Sequence, residues 1–356
     1  MKYYEKGVEK YQPEQHDPCT ARKIEALKEA LKDELVILGH HYQRDNVIRY
    51  ADIRGDSLIL SRKAAEMEKK HVVFCGVYFM AECADILSAE DQKVYLPDLQ
   101  AGCSMADMAD REAVEAAWEH LTSLSDATII PVTYINSSAD IKAFVGKHGG
   151  IVCTSSNAPK IFDWAMEKGD KILFLPDRYL GLNTALSKGV SREEIRVLDT
   201  LPDRSGIKKA RVLLWNGYCS VHKYFEAEHV HALRERFPGI RIVVHGECKD
   251  EVVRESDHFG STSTIIDLIS ASPKGSTWGV GTEEHLVRRL QRQFPDKTVM
   301  SLSEPGFQCA TMSMITPGSL LQVLEEIRAG RDDHRVRVQN EIKSYAKTAL
   351  IRMLAL

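Results

Sequence analysis

An α/β fold built from three repeats is what this sequence predicts, and two patterns predict it. Short apolar runs of strand character alternate with amphipathic, helix-like segments, and one polar pattern recurs three times in the same order. The chain has 356 residues, more than a single hydrophobic core usually serves, so two or three domains are expected.

The strands come first. Residues 35–38, 72–74, 128–132, 151–153, 172–175, 212–215 and 240–244 are almost continuously apolar, as parallel strands covered on both faces are. Residues 24–34, 107–121, 156–168, 229–237 and 283–293 carry helical spacing between them. That βαβα rhythm calls for parallel sheets with helices layered on them.

The repeat is polar. A strand ends in an aromatic or imidazole group: His40-His41-Tyr42, then Tyr134-Ile135-Asn136, then His245-Gly246-Glu247. A Ser/Thr turn follows at Gly55-Asp56-Ser57, Thr154-Ser155-Ser156-Asn157 and Gly260-Ser261-Thr262-Ser263. Then comes a cysteine ahead of a helix-like segment: Cys103, Cys219 and Cys309. Strand end and turn lie 17, 21 and 16 residues apart, and turn and cysteine 46, 64 and 48. A charged stretch at 187–211, expected to be a surface insertion, accounts for the longer middle interval.

Ligands of parallel sheets sit at the carboxyl ends of the strands. Three repeats around a pseudo-threefold axis would therefore aim His40, Tyr42, Tyr134, Asn136, His245 and Glu247 into one space. Ser57, Ser155, Ser156, Ser261 and Thr262 would open helices, whose free N–H groups favour anions. Such a cavity suits a substrate with several carboxylates or a phosphate. His245 and Glu247, two apart on a strand end, form an acid/base set.

Bulk properties narrow the classes further. A net charge of −4 with no dense Lys/Arg run disfavours nucleic acid and anionic membrane as partners. Residues 1–17 lack an apolar export core and no stretch reaches a membrane span, so a cytoplasmic protein with reduced thiols is expected. Its eight cysteines are then buried small hydrophobes, metal ligands or reactive thiols. No C-x2-C pair occurs. Three thiolates meeting at an axis suit a [4Fe–4S] cube with one open iron, or a three-cysteine zinc site. Cys19, Cys75 and Cys153 read as structural, and Cys248 as a residue of the cavity wall.

Taken together, Gly39-His40-His41-Tyr42-Gln43, Tyr134-Ile135-Asn136-Ser137, Cys153-Thr154-Ser155-Ser156-Asn157-Ala158, His245-Gly246-Glu247-Cys248 and Gly260-Ser261-Thr262-Ser263 resemble the quinolinate synthase family. The resemblance implies three αβα sandwich domains around a pseudo-threefold axis, here 1–125, 126–238 and 239–330, with 331–356 packing back on the first. It implies condensation of iminoaspartate with dihydroxyacetone phosphate to quinolinate, losing phosphate and two waters, in NAD biosynthesis. Cys103, Cys219 and Cys309 would hold one [4Fe–4S] cluster. His40, Tyr42, Tyr134, His245 and Glu247 would handle protons and orient substrate, and Ser57, Asn136, Ser155, Ser156, Ser261 and Thr262 would bind anions. The L-aspartate oxidase or dehydrogenase that makes the imine would be a transient partner. One departure is Gly246, where the family usually has proline, which should loosen that loop. Another is the segment Phe307-Gln308-Cys309-Ala310-Thr311-Met312, where Cys309 has no neighbouring cysteine to compete with it.

Overall fold

A computed structural model describes residues 7–14, 17–198 and 204–356. Along the chain run β1 (Val8–Lys10), β2 (Leu35–His40), β3 (Ile53–Gly55), β4 (His71–Cys75) and β5 (Lys93–Tyr95). Next come β6 (Ile129–Tyr134), β7 (Ile151–Cys153), β8 (Lys171–Leu175), β9 (Ile195–Leu198) and β10 (Val212–Trp215). The last are β11 (Arg241–His245), β12 (His258–Gly260), β13 (Thr277–Gly281), β14 (Thr298–Ser301), β15 (Phe307–Cys309) and β16 (Arg335–Val336).

These strands form three sheets on one plan: β3-β2-β4-β5, β7-β6-β8-β10-β9 and β12-β11-β13-β14, all parallel. In each unit the leading strand lies inside, between the second and third. The residues ending β2, β6 and β11 register against Gly55, Cys153 and Gly260. β16 adds antiparallel to β5, and β15 pairs antiparallel with β1.

Burial follows the pleat. On β11, Ile242 and Val244 pack with Phe225 and Val230 on one side, while Val243 meets Ile265 and Ile269 on the other. That alternation is the two-sided covering of an αβα sandwich. The third sheet thus has two small cores of its own, whereas the first and second units share one continuous core. The C-terminal helix Asn340–Ala355 lies mainly on helix Ala139–Lys147 of the second unit and touches Tyr78–Leu87 of the first. Gly146 permits that approach, since a Cβ there would stand 2.0 Å from the Tyr345 carbonyl oxygen.

The repeat continues past each cysteine. Short 3-10 turns begin three residues after Cys103, Cys219 and Cys309, at Ala106–Met108, His222–Tyr224 and Met312–Met314. Helices begin eight residues after, at Arg111–Leu124, Ala227–Arg236 and Pro317–Arg328.

Two expectations change. The helix expected over 107–121 is broken into a turn and a helix, because Asp110 leaves the helical conformation and caps Ala113 N–H. The stretch 187–211 is more than a surface excursion, since β9 within it forms the parallel edge of the second sheet against β10; residues 199–203 fall outside the described residues. Among the described residues no helix is long and apolar enough to cross a membrane.

Candidate active site

A cavity opens where the three units meet. The strand ends supply its polar wall. His40, Tyr134 and His245 are the last residues of β2, β6 and β11, and Tyr42, Asn136 and Glu247 follow two residues on. All six line the cavity. The Tyr42 ring also packs against the cores of both the first and third units.

The turns supply a second wall. Ser57 and Thr262 are the first residues of helices Ser57–Glu66 and Thr262–Ala271, and Ser155 and Ser156 precede Ala158–Lys168. These four also line the cavity. Ser261 does not; its hydroxyl is spent as the N-cap of its helix, accepting from Thr264 N–H, the commonest use of serine there. Asp56, a cavity residue that composition did not single out, caps the first helix with Oδ1. Its Oδ2 accepts from Ser156 at 2.6 Å and Ser263 at 2.7 Å. One carboxylate therefore pins all three units.

Cys103, Cys219 and Cys309 line the same cavity. Each sulfur faces backbone N–H groups of the turn behind it: Met105 and Ala106, His222, and Thr311 with Met312. The Thr311 hydroxyl lies 3.4 Å from the Cys309 sulfur. Burial pushes the Cys103 thiol up to about 12 and raises the other two. Buried thiols that resist ionisation yet face ready N–H donors are suited to become thiolates only against a cation. The remaining cysteines stand apart: Cys75, Cys83 and Cys153 are buried in packing and Cys19 is exposed. Cys248 does not reach the cavity wall, as its thiol points to the Gly281 carbonyl oxygen at 3.7 Å.

The acid/base groups are fixed by charge and burial. Burial would raise Glu247, but His245 and His222 outweigh it and hold the carboxyl at about 2. Burial, then the neighbouring His41, brings His40 down to about 3, and burial does the same to His245. Burial and the Glu247 charge lift Tyr42 and Tyr134 well above the ordinary phenol value. At neutral pH the Glu247 carboxylate thus faces the neutral imidazoles of His40 and His245 and the protonated phenols of Tyr42 and Tyr134 across the cavity.

His222 is the other residue that motif reading missed. Its Nδ1 lies 2.7 Å from Glu247 Oε2, and its ring stacks on His245 at 4.4 Å between centroids. The signal for it is its place in the repeat, the third residue after Cys219. Cys219, His222 and Glu247 offer ligand atoms within 4.8 Å of one another. Both His222 nitrogens are already engaged, however, Nε2 with Thr282 Oγ1 at 3.1 Å. A mononuclear metal there would have to break the pair. Nor is the Gly246 loop slack: its N–H donates to the Gly260 carbonyl at 2.9 Å, a bond proline could not make, and Asn183 holds its carbonyl.

Comparison with known proteins places these features. A family model described as NadA, Quinolinate synthetase A protein, matches residues 22–355. A protein named quinolinate synthase from Streptomyces coelicolor is 49% identical over 354 residues, covering 97% of this chain and 90% of its own. Proteins of the same name from Acidobacterium capsulatum and Bacillus subtilis are each 48% identical, over 347 and 339 residues. Those matches cover 95% and 94% of this chain and 93% and 92% of theirs.

Proposed function

The chain belongs to the quinolinate synthetase A family and makes quinolinate for NAD biosynthesis, and we propose that it does so in the three-unit cavity by joining iminoaspartate to dihydroxyacetone phosphate. Phosphate and two waters are lost. The observation that carries this reading is the convergence on one cavity of an ionised carboxylate, protonated phenols, helix-opening hydroxyls and three thiols, each unit supplying part of the set.

The three thiols fit a [4Fe–4S] cluster: three sulfurs from three units, each with N–H donors in place, and no fourth cysteine in the cavity wall. Cys103, Cys219 and Cys309 would hold it, and the cluster would supply a Lewis acid for a substrate oxygen.

The protein's own groups divide the rest. The helix openings at Ser57, Ser155, Ser156 and Thr262, with Asn136, bind carboxylate and phosphate oxygens through their free N–H groups. His40 and His245, neutral in the folded protein, orient those anions by hydrogen bonding rather than by charge. Glu247 takes the proton beside the imine. Tyr42 and Tyr134 remain protonated at neutral pH and deliver protons to departing oxygens. Enclosure by three units keeps water from an imine that water would hydrolyse. That instability also argues for direct supply by the enzyme that oxidises L-aspartate, and for work in the cytoplasm. The units divide near residues 125, 238 and 330.

Anaerobic purification with iron and sulfide assays, coupled to quinolinate formation from fresh iminoaspartate and dihydroxyacetone phosphate, tests the reading. Brown, active protein that loses iron on Cys103→Ala, Cys219→Ala or Cys309→Ala is expected. A colourless, iron-free protein with full activity would overturn the cluster, and normal turnover by Glu247→Gln would overturn its role as base.

A further inference from the structure

One segment at the cavity belongs to none of the three repeats. Residues 7–14 precede the helix Pro18–Leu31 and lie outside the stretch 22–355 that the family model matches. Yet Gly7 is buried and lines the cavity, and β1 runs antiparallel to β15 with Val8 opposite Cys309. Gly7 also meets the residue after each cavity cysteine: Ser104, Ser220 and Ala310. The two serine hydroxyls, both buried, bond each other at 2.9 Å, and a Cβ on Gly7 would stand 2.6 and 2.5 Å from them. The Gly7 carbonyl accepts from Ala310 N–H at 3.3 Å. Only bare backbone fits there, at the point where the three cysteine loops converge.

Beyond Gly7 the segment is fastened along its length. Tyr11 N–H donates to the Gly306 carbonyl at 3.0 Å, and its ring lies edge-on to His285 at 5.4 Å with the Arg288 guanidinium 5.3 Å above it. Gln12 N–H donates to Oε1 of the fully buried Gln308 at 3.1 Å. Glu14 closes the run, its two carboxylate oxygens accepting from Asp45 and Asn46 N–H of the first unit at 2.7 and 2.8 Å. The segment thus joins the third unit to the first and ends among the cysteine loops of all three.

We propose that residues 7–14 form a strap that walls off the thiol end of the cavity, keeping dioxygen and chelating molecules from a cluster held by Cys103, Cys219 and Cys309. This rests on the cluster reading given above. Dioxygen that reaches such a cluster takes one electron and leaves as superoxide, and the oxidised cluster sheds a ferrous ion. Retention of iron in air then follows how often the strap lifts, a local opening that leaves the rest of the fold in place. The Glu14 bonds oppose that opening, and each bond from an N–H to a charged carboxylate shifts such an equilibrium by about tenfold or more.

Glu14→Ala unfastens the far end of the strap, away from the cavity lining, and Gly7→Val drives a side chain between Ser104 and Ser220. Lys10→Ala, at an exposed position of the same segment, is the control. Each is loaded with iron anaerobically beside wild type, assayed for kcat and KM without air, then moved to air-saturated buffer with a ferrous chelator that reports released iron. Expected is an iron half-life about 10-fold shorter or more in Glu14→Ala and Gly7→Val, unchanged in Lys10→Ala. Anaerobic kcat and KM of Glu14→Ala should stay within about twofold of wild type. Wild-type half-lives in both strap variants overturn the proposal. So does equal shortening in Lys10→Ala, or an anaerobic kcat of iron-loaded Glu14→Ala that falls along with its half-life. Should Gly7→Val fail to fold, Glu14→Ala alone decides. A wild-type protein that takes up no iron fails the cluster reading instead.

Discussion

Asp56→Asn isolates what a single charge does where three units touch. Asparagine caps a helix about as well as aspartate, so the bonds to Leu58 and Ile59 N–H, at 3.1 and 3.0 Å, survive. What goes is the charge behind the bonds from Ser156 and Ser263, both crossing unit boundaries at a site 5% exposed. A hydrogen bond to a charged partner is worth about 1.5–3 kcal/mol against about 0.5–1.5 for a neutral one. Two such bonds lose about 2 kcal/mol together, and the helix dipole loses a further ~0.5. The expected cost is about 2–3 kcal/mol. The same change at Asp17, an exposed cap bonded to Cys19 and Thr20 of its own helix, should cost under ~0.5 kcal/mol. Urea unfolding of the iron-loaded protein, followed by circular dichroism, compares the two. Burial would raise the Asp56 carboxyl, but the Ile59, Ser156 and Ser263 bonds bring it below the ordinary range. Its contribution is thus complete above the ordinary carboxylate pKa and lost on further acidification, so the wild-type advantage over Asp56→Asn should vanish at low pH. Equal costs at Asp56 and Asp17, or an advantage unchanged by acid, would refute the reasoning.

Three further outcomes follow from features of the same fold. His40 and His245 are held near 3 in the folded protein against 6.5 unfolded, so the unfolded chain carries up to two extra protons between those values. Stability should therefore fall as pH drops through that window by up to about 2.7 kcal/mol per unit; denaturation midpoints against pH should lose half that slope in His40→Asn or His245→Asn, and an unchanged slope would count against the burial argument. Gly146→Ala places a Cβ 2.0 Å from the Tyr345 carbonyl and should cost about 1–3 kcal/mol by prising the C-terminal helix away. Gly318→Ala, whose nearest atom stands 3.6 Å off, serves as the neutral control in the same thermal melt. Alkylation of native, iron-loaded protein followed by peptide mass spectrometry should mark Cys19 alone, because Cys75, Cys83, Cys153 and Cys248 are buried with high-pKa thiols or packed out of reach; rapid labelling of Cys103, Cys219 or Cys309 would show those thiols free of metal.

Strands were the most legible part of the chain. β7 and β10 coincide with their apolar runs because parallel strands buried on both faces leave no polar residue to blur their ends. Helix ends were less so, as at Asp110, where a side chain capping its own backbone overrides an unbroken helical spacing. Strand β9 was hidden because it is an edge strand with a charged sequence, Ile195-Arg196-Val197-Leu198, set among polar residues. In the site, thirteen of the fourteen residues named from sequence line one cavity, since repetition marks positions even where no single motif does. Ser261 was misplaced because a capping serine and an anion-binding serine look alike in sequence. Asp56 and His222 escaped because their importance lies in partners 25 to 207 residues away, and such pairings leave no local trace.

Joining three like units in a single polypeptide has a consequence for the chemistry itself. A ring of three identical subunits must present the same side chain three times at its centre, and can hold only what tolerates that equality. Here the strand ends read His40, Tyr134 and His245, and the positions two beyond read Tyr42, Asn136 and Glu247. Covalent linkage lets each copy mutate independently while the scaffold keeps its symmetry. The thiols stayed alike, and the positions two beyond the strand ends diverged into a phenol, an amide and a carboxylate. A lopsided pair of substrates can then be told apart, end from end, inside an almost symmetric container.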